Sequence, residues 1–325
     1  MDLKCQAWKR VGIESFLAVM EFGPFAAGSM VFKRAFEEGA SLSHAVVVNN
    51  VLLGLLFLPL MAWDPQPVPW DRLHLPFLTA STFIAGHLFN VAALRVGDVS
   101  VATPLLGVKV VFVALIARFA FGWPLSGGQL TATVLTSAGV LITGLTDLKP
   151  GRRTGWTTLL ALGCAGSFAV TDVLIQIWAT EFGVLNFLSL LFGALALESI
   201  LVLPILGYKA RPETRHLSIL RQAAASLTAP PRAWRWIGLA TALSAIQALL
   251  ITGTIATWRD AAGVNVVYGT RGLWSLALVW WAGSWFGNAE RRDSGPRVLL
   301  ARAIGGALIL AAVVLSLQSG TPDRR

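Results

Sequence analysis

The sequence predicts an all-α polytopic membrane protein whose ten transmembrane helices form two inverted five-helix repeats. Of its 325 residues, 55% are hydrophobic and only 13% are charged, whereas a soluble domain carries about 25% charged residues. A single soluble core stops growing at about 250–300 residues, so the excess of apolar residues must face lipid. The same composition excludes intrinsic disorder, because disordered chains are polar and rich in charge.

Ten apolar runs follow one another along the chain, each near the length of about 20 residues that a helix needs to cross the hydrocarbon core. Strands are excluded because the runs are too long for a barrel strand and do not alternate in polarity. Lipid offers no hydrogen-bond partners to the backbone, and a helix pairs its backbone groups internally. The predicted spans are 11–32, 43–62, 75–95, 100–122, 128–147, 155–178, 184–206, 235–257, 264–286 and 298–317.

One connection is long. Residues 207–234 carry five Lys and Arg residues and a helix-compatible stretch, which is typical of an amphipathic helix on the membrane surface. The remaining connections are short, which favours antiparallel neighbouring helices. We therefore predict a first repeat over 1–150 and a second over 151–325, with 207–234 as an insertion in the second.

Short matches between the two halves occur in the same order, which indicates an internal repeat. They pair Gly23-Pro24-Phe25-Ala26 with Gly166-Ser167-Phe168-Ala169, Phe57-Leu58-Pro59-Leu60 with Val202-Leu203-Pro204-Ile205, Phe121-Gly122 with Phe286-Gly287, and Gly139-Val140-Leu141-Ile142 with Gly306-Ala307-Leu308-Ile309. Five spans in each half invert the second half relative to the first. Inverted repeats are common in secondary transporters, where they enclose a site near the membrane midplane.

The formal net charge is +9, from 26 Lys and Arg against 17 Asp and Glu. The basic residues lie mostly between apolar runs, so we expect them to contact membrane lipid headgroups rather than nucleic acid. On one side of the membrane, the termini and the even-numbered connections contain seven Lys and Arg residues. The connections on the opposite side contain fourteen. The positive-inside rule then places both termini outside the cytoplasm.

The stretch Ala93–Gly144 resembles the EamA-like family of the drug/metabolite transporter superfamily. The resemblance rests on Pro104, Phe121-Gly122 and Gly139-Val140-Leu141-Ile142, while Trp123 stands where the family pattern has an acidic residue. It implies ten helices around a central cavity and transport of small metabolites, often export. It also implies termini inside the cytoplasm, opposite to the charge count.

Charged residues inside predicted spans are candidates for function, because each costs about 2.5–3.5 kcal/mol on insertion scales. Lys109 and Arg271 occupy equivalent spans of the two repeats, which predicts two cations at the central cavity and a carboxylate or phosphate ligand. The alternative is internal pairing of these cations with Glu21, Asp172 or Glu198. Glu21 and Asp172, in the first span of each half, are candidates for proton coupling, with a static ion pair as the alternative.

Polar side chains inside the spans complete the predicted substrate site. Tyr268 lies one turn from Arg271, and Asn265 a further turn back. His87 and Asn90 lie on the third span and Gln247 on the eighth. The alternative role for such residues is to bridge neighbouring helices.

These features predict a secondary active transporter that moves a small polar, anionic metabolite by alternating access, in the direction of efflux. We expect a multi-pass protein of a bacterial inner membrane, a monomer or homodimer, without metal or cofactor because no catalytic or phosphate-binding motif is present. Two alternatives stay open, a membrane-embedded enzyme acting on a lipid-linked substrate and a non-transporting scaffold.

Overall fold

The computed structural model describes residues 28, 31, 34–41, 44–96, 108–123, 125–145, 152–207, 229–269 and 296–319. Within these residues the chain is helical and contains no strand. The α-helices of this part are α1 (Asn49–Phe57), α2 (His74–Val96), α3 (Lys109–Leu115), α4 (Gly127–Leu145), α5 (Arg152–Phe182), α6 (Val184–Gly207), α7 (Pro231–Trp258), α8 (Ala261–Tyr268) and α9 (Pro296–Ser319).

Four segments of the described chain are long and apolar enough to cross a membrane, namely Val46–Trp63, Gly155–Phe182, Val184–Leu203 and Pro231–Trp258. Two shorter apolar helical stretches are Gly127–Ile142 and Ala303–Ser316. The all-helical class is therefore confirmed for the described residues, and ten spans fit this pattern. The inverted relation of the two repeats stays a prediction.

Some predicted spans lie wholly or partly outside the described residues. This holds for most of the first span (11–32), for the start of the fourth and for the ninth beyond residue 269. The predicted surface segment 207–234 is also largely outside them. The structure does show that α7 begins at Pro231, four residues before the predicted start of that span.

Helix ends follow local chemistry. Pro231 opens α7, the position where a missing backbone N–H costs least. The carboxylate of Asp260 caps α8 by accepting a hydrogen bond from Gly263 N at 3.1 Å. Between α5 and α6, Gly183 adopts a φ of +84°, which glycine tolerates without the strain that a side chain would add.

The chain divides into two compact units, and each draws on residues from both predicted halves. The first includes Ala85–Ile177 and Thr254–Arg325, and the second includes Pro24–Ile84 and Trp178–Gly253. In the first unit, α3, α4, α8 and α9 each contribute one residue to a buried cluster, namely Val110, Ala132, Val266 and Ala312. The predicted repeat boundary at 150/151 stays a prediction.

In the second unit, α1 and α6 pack closely. A Cβ on Gly54 would lie 2.7 Å from Ala196 Cβ, so only glycine permits this approach. The Asn50 amide donates to Ser199 Oγ at 2.9 Å, and Ser189 Oγ donates to the carbonyl of Phe57 at 2.7 Å. These bonds are the interhelical bridges that polar side chains commonly form between membrane helices.

The start of α6 is held by the loop that follows the 3₁₀ helix Leu58–Trp63, which itself follows α1. The carboxylate of Asp64 accepts hydrogen bonds from Leu185 N at 2.8 Å and Asn186 N at 3.1 Å, which satisfies backbone donors that have no partner inside a helix. Its negative charge also lies at the positive end of the helix dipole. Asn186 adds a bond to the carbonyl of Gln66 at 2.7 Å, so the loop and the helix start form one hydrogen-bonded unit.

Candidate functional site

A buried ion pair lies inside the first unit. Lys109, the first residue of α3, places its Nζ 2.6 Å from Oδ2 of Asp172 on α5, and the two side chains are only 10% and 8% exposed. Asp172 lies ten residues before Phe182, the end of α5, which is about 15 Å along the helix.

Two hydrogen bonds join α5 and α8 beside the ion pair. Asn265 Nδ2 donates to Asp172 Oδ2 at 2.6 Å, and Ala261 N donates to Gln176 Oε1 at 2.7 Å. In each helix the two residues are one turn apart, and their order shows that the helices run antiparallel here. Asp172 therefore has two donors, the Lys109 ammonium and the Asn265 amide, and its orientation is fixed by both.

The same seam holds two polar atoms without a hydrogen-bond partner among the described residues. They are Asn265 Oδ1 and Gln176 Nε2, both fully buried. A buried polar group left unpaired costs about 1–3 kcal/mol, so such groups are uncommon in a folded protein. One atom is an acceptor and the other is a donor.

Aromatic rings surround the Lys109 ammonium. Its Nζ lies 5.6 Å from the centroid of the Tyr268 ring and 5.9 Å from that of Phe168, distances at which a cation is attracted to the ring face. His87 makes an edge contact with Phe168 at 5.6 Å between centroids. A Cβ on Gly86 would lie 2.8 Å from the Phe168 ring, so glycine is what lets α2 approach α5 here.

The structure thus brings together four of the predicted site residues, Lys109, Asp172, Asn265 and Tyr268, and His87 joins them through Phe168. Lys109 pairs with Asp172 in the structure, one of the partners that the ion-pair alternative considered. Contact of any of these residues with substrate stays a prediction.

The other predicted residues are placed less closely or not at all. Asn90 is half-buried on α2, and Gln247 is half-buried on α7 in the second unit. Arg271 and Glu21 lie outside the described residues. Their predicted roles are neither supported nor contradicted.

Glu198 on α6, considered above as a partner for a base, has a different neighbour. Its Oε1 accepts a hydrogen bond from Ser81 Oγ at 2.9 Å, and its Oε2 is buried without a partner among the described residues. Glu198 and Ser81 both belong to the second unit. Within the described chain this carboxylate is therefore not part of the Lys109 cluster.

Sequence reasoning missed two members of the cluster. Phe168 was noted only as part of the repeat, and Gln176 was not noted at all. The available signal was spacing, because Phe168, Asp172 and Gln176 follow one another at intervals of four residues on α5 and so share one face of the helix.

The chemistry of the cluster suits charge binding rather than metal binding. Within the described ranges, no group of three His, Cys, Asp or Glu side chains could hold a metal ion. The donors instead comprise an ammonium, two amides and a phenol, beside one carboxylate.

The architecture and this cluster together define an integral multi-pass membrane protein with a charged polar site among its helices. Comparison with known families gives a more specific class. Residues 15–145 match the model of the EamA-like transporter family, which confirms the predicted resemblance and indicates a membrane transporter of the drug/metabolite superfamily. The matched residues lie within the predicted first repeat.

Solved structures support the fold. One chain, titled only as the crystal structure of a protein, is similar with a TM-score of 0.58 and 15% sequence identity, over 94% of this chain and 99% of that one. At this identity the similarity shows the fold alone. No curated protein matches the chain.

Proposed function

We propose that this protein is a secondary active transporter that exports a small polar metabolite by alternating access. The observation that carries the proposal is the buried Lys109–Asp172 pair, in a chain whose first part matches a transporter family. Ionisable residues inside membrane helices are expensive, and they commonly belong to substrate or ion pathways. The predicted inverted repeats would supply the two states that alternating access requires.

The proposed substrate carries an oxyanion, either a carboxylate or a phosphate. Lys109 supplies the cation, and the face of Tyr268 lies 5.6 Å from its ammonium. The cation–π contact with this ring is electrostatic and is not a hydrogen bond to an oxygen. The ammonium can therefore still donate its hydrogens to oxygen acceptors. Arg271 would add a second cation from the other repeat. The protein would act in a bacterial inner membrane as a monomer or homodimer.

The test is a transport assay with purified protein in proteoliposomes. Vesicles are loaded with a panel of radiolabelled metabolites that includes monocarboxylates, phosphate esters, sugars and amino acids, and release is followed with and without a pH gradient. We expect release of one class of oxyanion, at least tenfold slower in Lys109→Gln. Arg118→Gln is the matched control, since Arg118 is an exposed cation at the end of the same helical segment.

Three outcomes would contradict the proposal. Release of no panel member above the level of empty vesicles would remove the transport assignment and leave the scaffold alternative. Chemical conversion of a lipid-linked substrate without net movement would identify the enzyme alternative instead. Equal loss of release in Lys109→Gln and Arg118→Gln would show that the effect of Lys109 is not specific to its site.

A further inference from the structure

Lys109 and Asp172, considered above for substrate binding and for proton coupling with a static ion pair as the alternative, are partners in the structure. Their charged atoms are 2.6 Å apart, and both side chains are about nine-tenths buried. An oxyanion that approaches Lys109 therefore meets a cation whose charge is already balanced. Its arrival would place two negative charges beside one positive charge in a buried site, and an uncompensated buried charge is strongly unfavourable. The second negative charge must be removed or neutralised.

The Asn265 amide can form a hydrogen bond with the Asp172 carboxyl group in both of its protonation states. Its Nδ2 hydrogens are used by Asp172 Oδ2 at 2.6 Å and by the carbonyl of Ala261 at 2.8 Å. Its Oδ1 is buried without a partner among the described residues. An ionised carboxylate only accepts hydrogen bonds, whereas a protonated carboxyl also donates one. The unused Oδ1 is thus an acceptor, on the same amide, for the O–H of a protonated Asp172.

We propose that Lys109 and Asp172 form an exchange site, in which an oxyanion replaces Asp172 on the Lys109 ammonium while Asp172 takes up one proton. The proposal rests on the transport function above and names its coupling ion. The charge balances, because the pair is neutral before exchange, and Lys109 with a monovalent oxyanion beside a protonated Asp172 is neutral after it. The Asp172 O–H bond forms as the ion pair separates, with a proton delivered from hydronium in the adjoining water, whose O–H bond breaks.

This exchange moves a proton and an oxyanion in the same direction. The protein would therefore be an oxyanion–proton cotransporter, and the sum of the two gradients would set the direction of movement. Export takes place when the outward gradient of the metabolite exceeds the opposing proton gradient. A neutral exchange also makes the coupled movement insensitive to the membrane potential, since no net charge crosses.

Few titratable groups face the pair from the helices packed around it. The sequence of α4 contains none, α3 contains only Lys109 and α8 contains only Tyr268. From α2, His87 contacts the Phe168 ring. His87 is thus the nearby group, within the described residues, whose own titration could imitate a pH dependence of Asp172.

The first experiment needs no identified substrate. Infrared difference spectra of the purified protein in lipid nanodiscs are recorded at constant pH on addition of sodium lactate or, separately, inorganic phosphate. We expect a new carboxylic-acid C=O band with at least one of the two, and the two arms distinguish a carboxylate from a phosphate site. The band should be absent in Asp172→Asn and in Lys109→Gln. It should persist in Glu181→Gln, the matched control, since Glu181 is an exposed carboxylate paired at 2.6 Å with Arg72.

The second experiment measures the linkage directly. If one proton is taken up per oxyanion, the Kd for the oxyanion weakens about tenfold per pH unit wherever Asp172 is ionised in the free protein. This slope should vanish in Asp172→Asn and persist in His87→Gln. Asp172→Asn alone leaves the buried Lys109 charge without its partner, and we expect it to be less stable for that reason. The double variant Lys109→Gln with Asp172→Asn has no buried charge at the pair, so its folding shows whether the loss in the single variant comes from the unpaired charge.

The outcomes separate this inference from the proposed function. If the wild-type protein releases an oxyanion with no C=O band and no pH slope, the exchange is wrong while transport stands. If lactate or phosphate produces the band but no panel member is released, the exchange site stands and transport is wrong. Persistence of the band in Asp172→Asn would overturn the inference, because another carboxyl would then carry the proton.

Discussion

Removal of the Lys109 charge should destabilise the protein strongly. In Lys109→Met the Asp172 carboxylate, 8% exposed, loses its counter-ion and keeps only the Asn265 amide as a donor. Breaking a buried pair by removal of one partner costs about 3–5 kcal/mol. Because the geometry is close and both groups are buried, we expect the free energy of unfolding to fall by that amount.

The measurement is an unfolding titration in mixed detergent micelles, followed by the fluorescence of the 13 Trp residues. The control is Arg72→Met, which breaks the Arg72–Glu181 pair. This pair has the same N–O separation of 2.6 Å, but its side chains are 53% and 39% exposed. An exposed pair contributes about 0–1 kcal/mol, so the comparison isolates the effect of burial from that of distance.

The double variant Lys109→Met with Asp172→Leu completes the test. Replacement of a whole buried pair by apolar residues is often neutral or even stabilising, so the double variant should be more stable than Lys109→Met alone. The reasoning would be refuted if Lys109→Met cost no more than the Arg72→Met control. It would also be refuted if the two single costs simply added in the double variant, since side chains in one pair should be coupled.

Three further predictions use the same titration. Gly183→Ala should cost about 1–3 kcal/mol, because φ is +84° and a Cβ would lie 2.5 Å from both carboxylate oxygens of Asp64; an unchanged midpoint would contradict this. Gly139→Ala should cost about 1–3 kcal/mol, since its Cβ would lie 2.5 Å from a carbonyl oxygen of α9, whereas Gly127→Ala, which meets nothing within 4 Å, should not destabilise. Gln176→Leu should cost about 1–3 kcal/mol, because it leaves the first N–H of α8 unpaired; a loss no larger than that of Gly127→Ala would contradict this and show that water replaces the amide.

Much of the helical layout could be predicted from the sequence. The predicted span 184–206 is the helix Val184–Gly207, and 128–147 corresponds to Gly127–Leu145. Apolar length alone decides such cases, because a membrane helix must be long enough to cross the hydrocarbon. The differences occur at helix ends, as at Pro231, where capping rather than hydropathy sets the boundary.

The site could be predicted only in part. Lys109 and Asp172 were recognisable because a charge in an apolar run is rare and needs a reason. Their pairing was one of several alternatives, since it depends on the rotation of α3 and α5 about their axes, which the apolar pattern leaves free. Gln176 was missed because burying an uncharged amide in a membrane helix costs less free energy than burying a charge, so it is a weaker signal of function. Its spacing from Asp172 nevertheless placed it on the same face of the helix.

The cluster contains more polarity than packing requires. An apolar pair at positions 109 and 172 would hold α3 and α5 together at least as well as the ion pair, because desolvation of two charges offsets most of their attraction. The seam also carries two buried atoms that have no hydrogen-bond partner in the described part of the chain, Asn265 Oδ1 and Gln176 Nε2, and an unpaired buried polar atom costs stability. A structural role explains neither feature, since both weaken the fold they would serve. The exchange proposed above would account for both, because a site that releases its own carboxylate and accepts another anion needs a weakly favoured ion pair and unfilled hydrogen-bonding positions beside it.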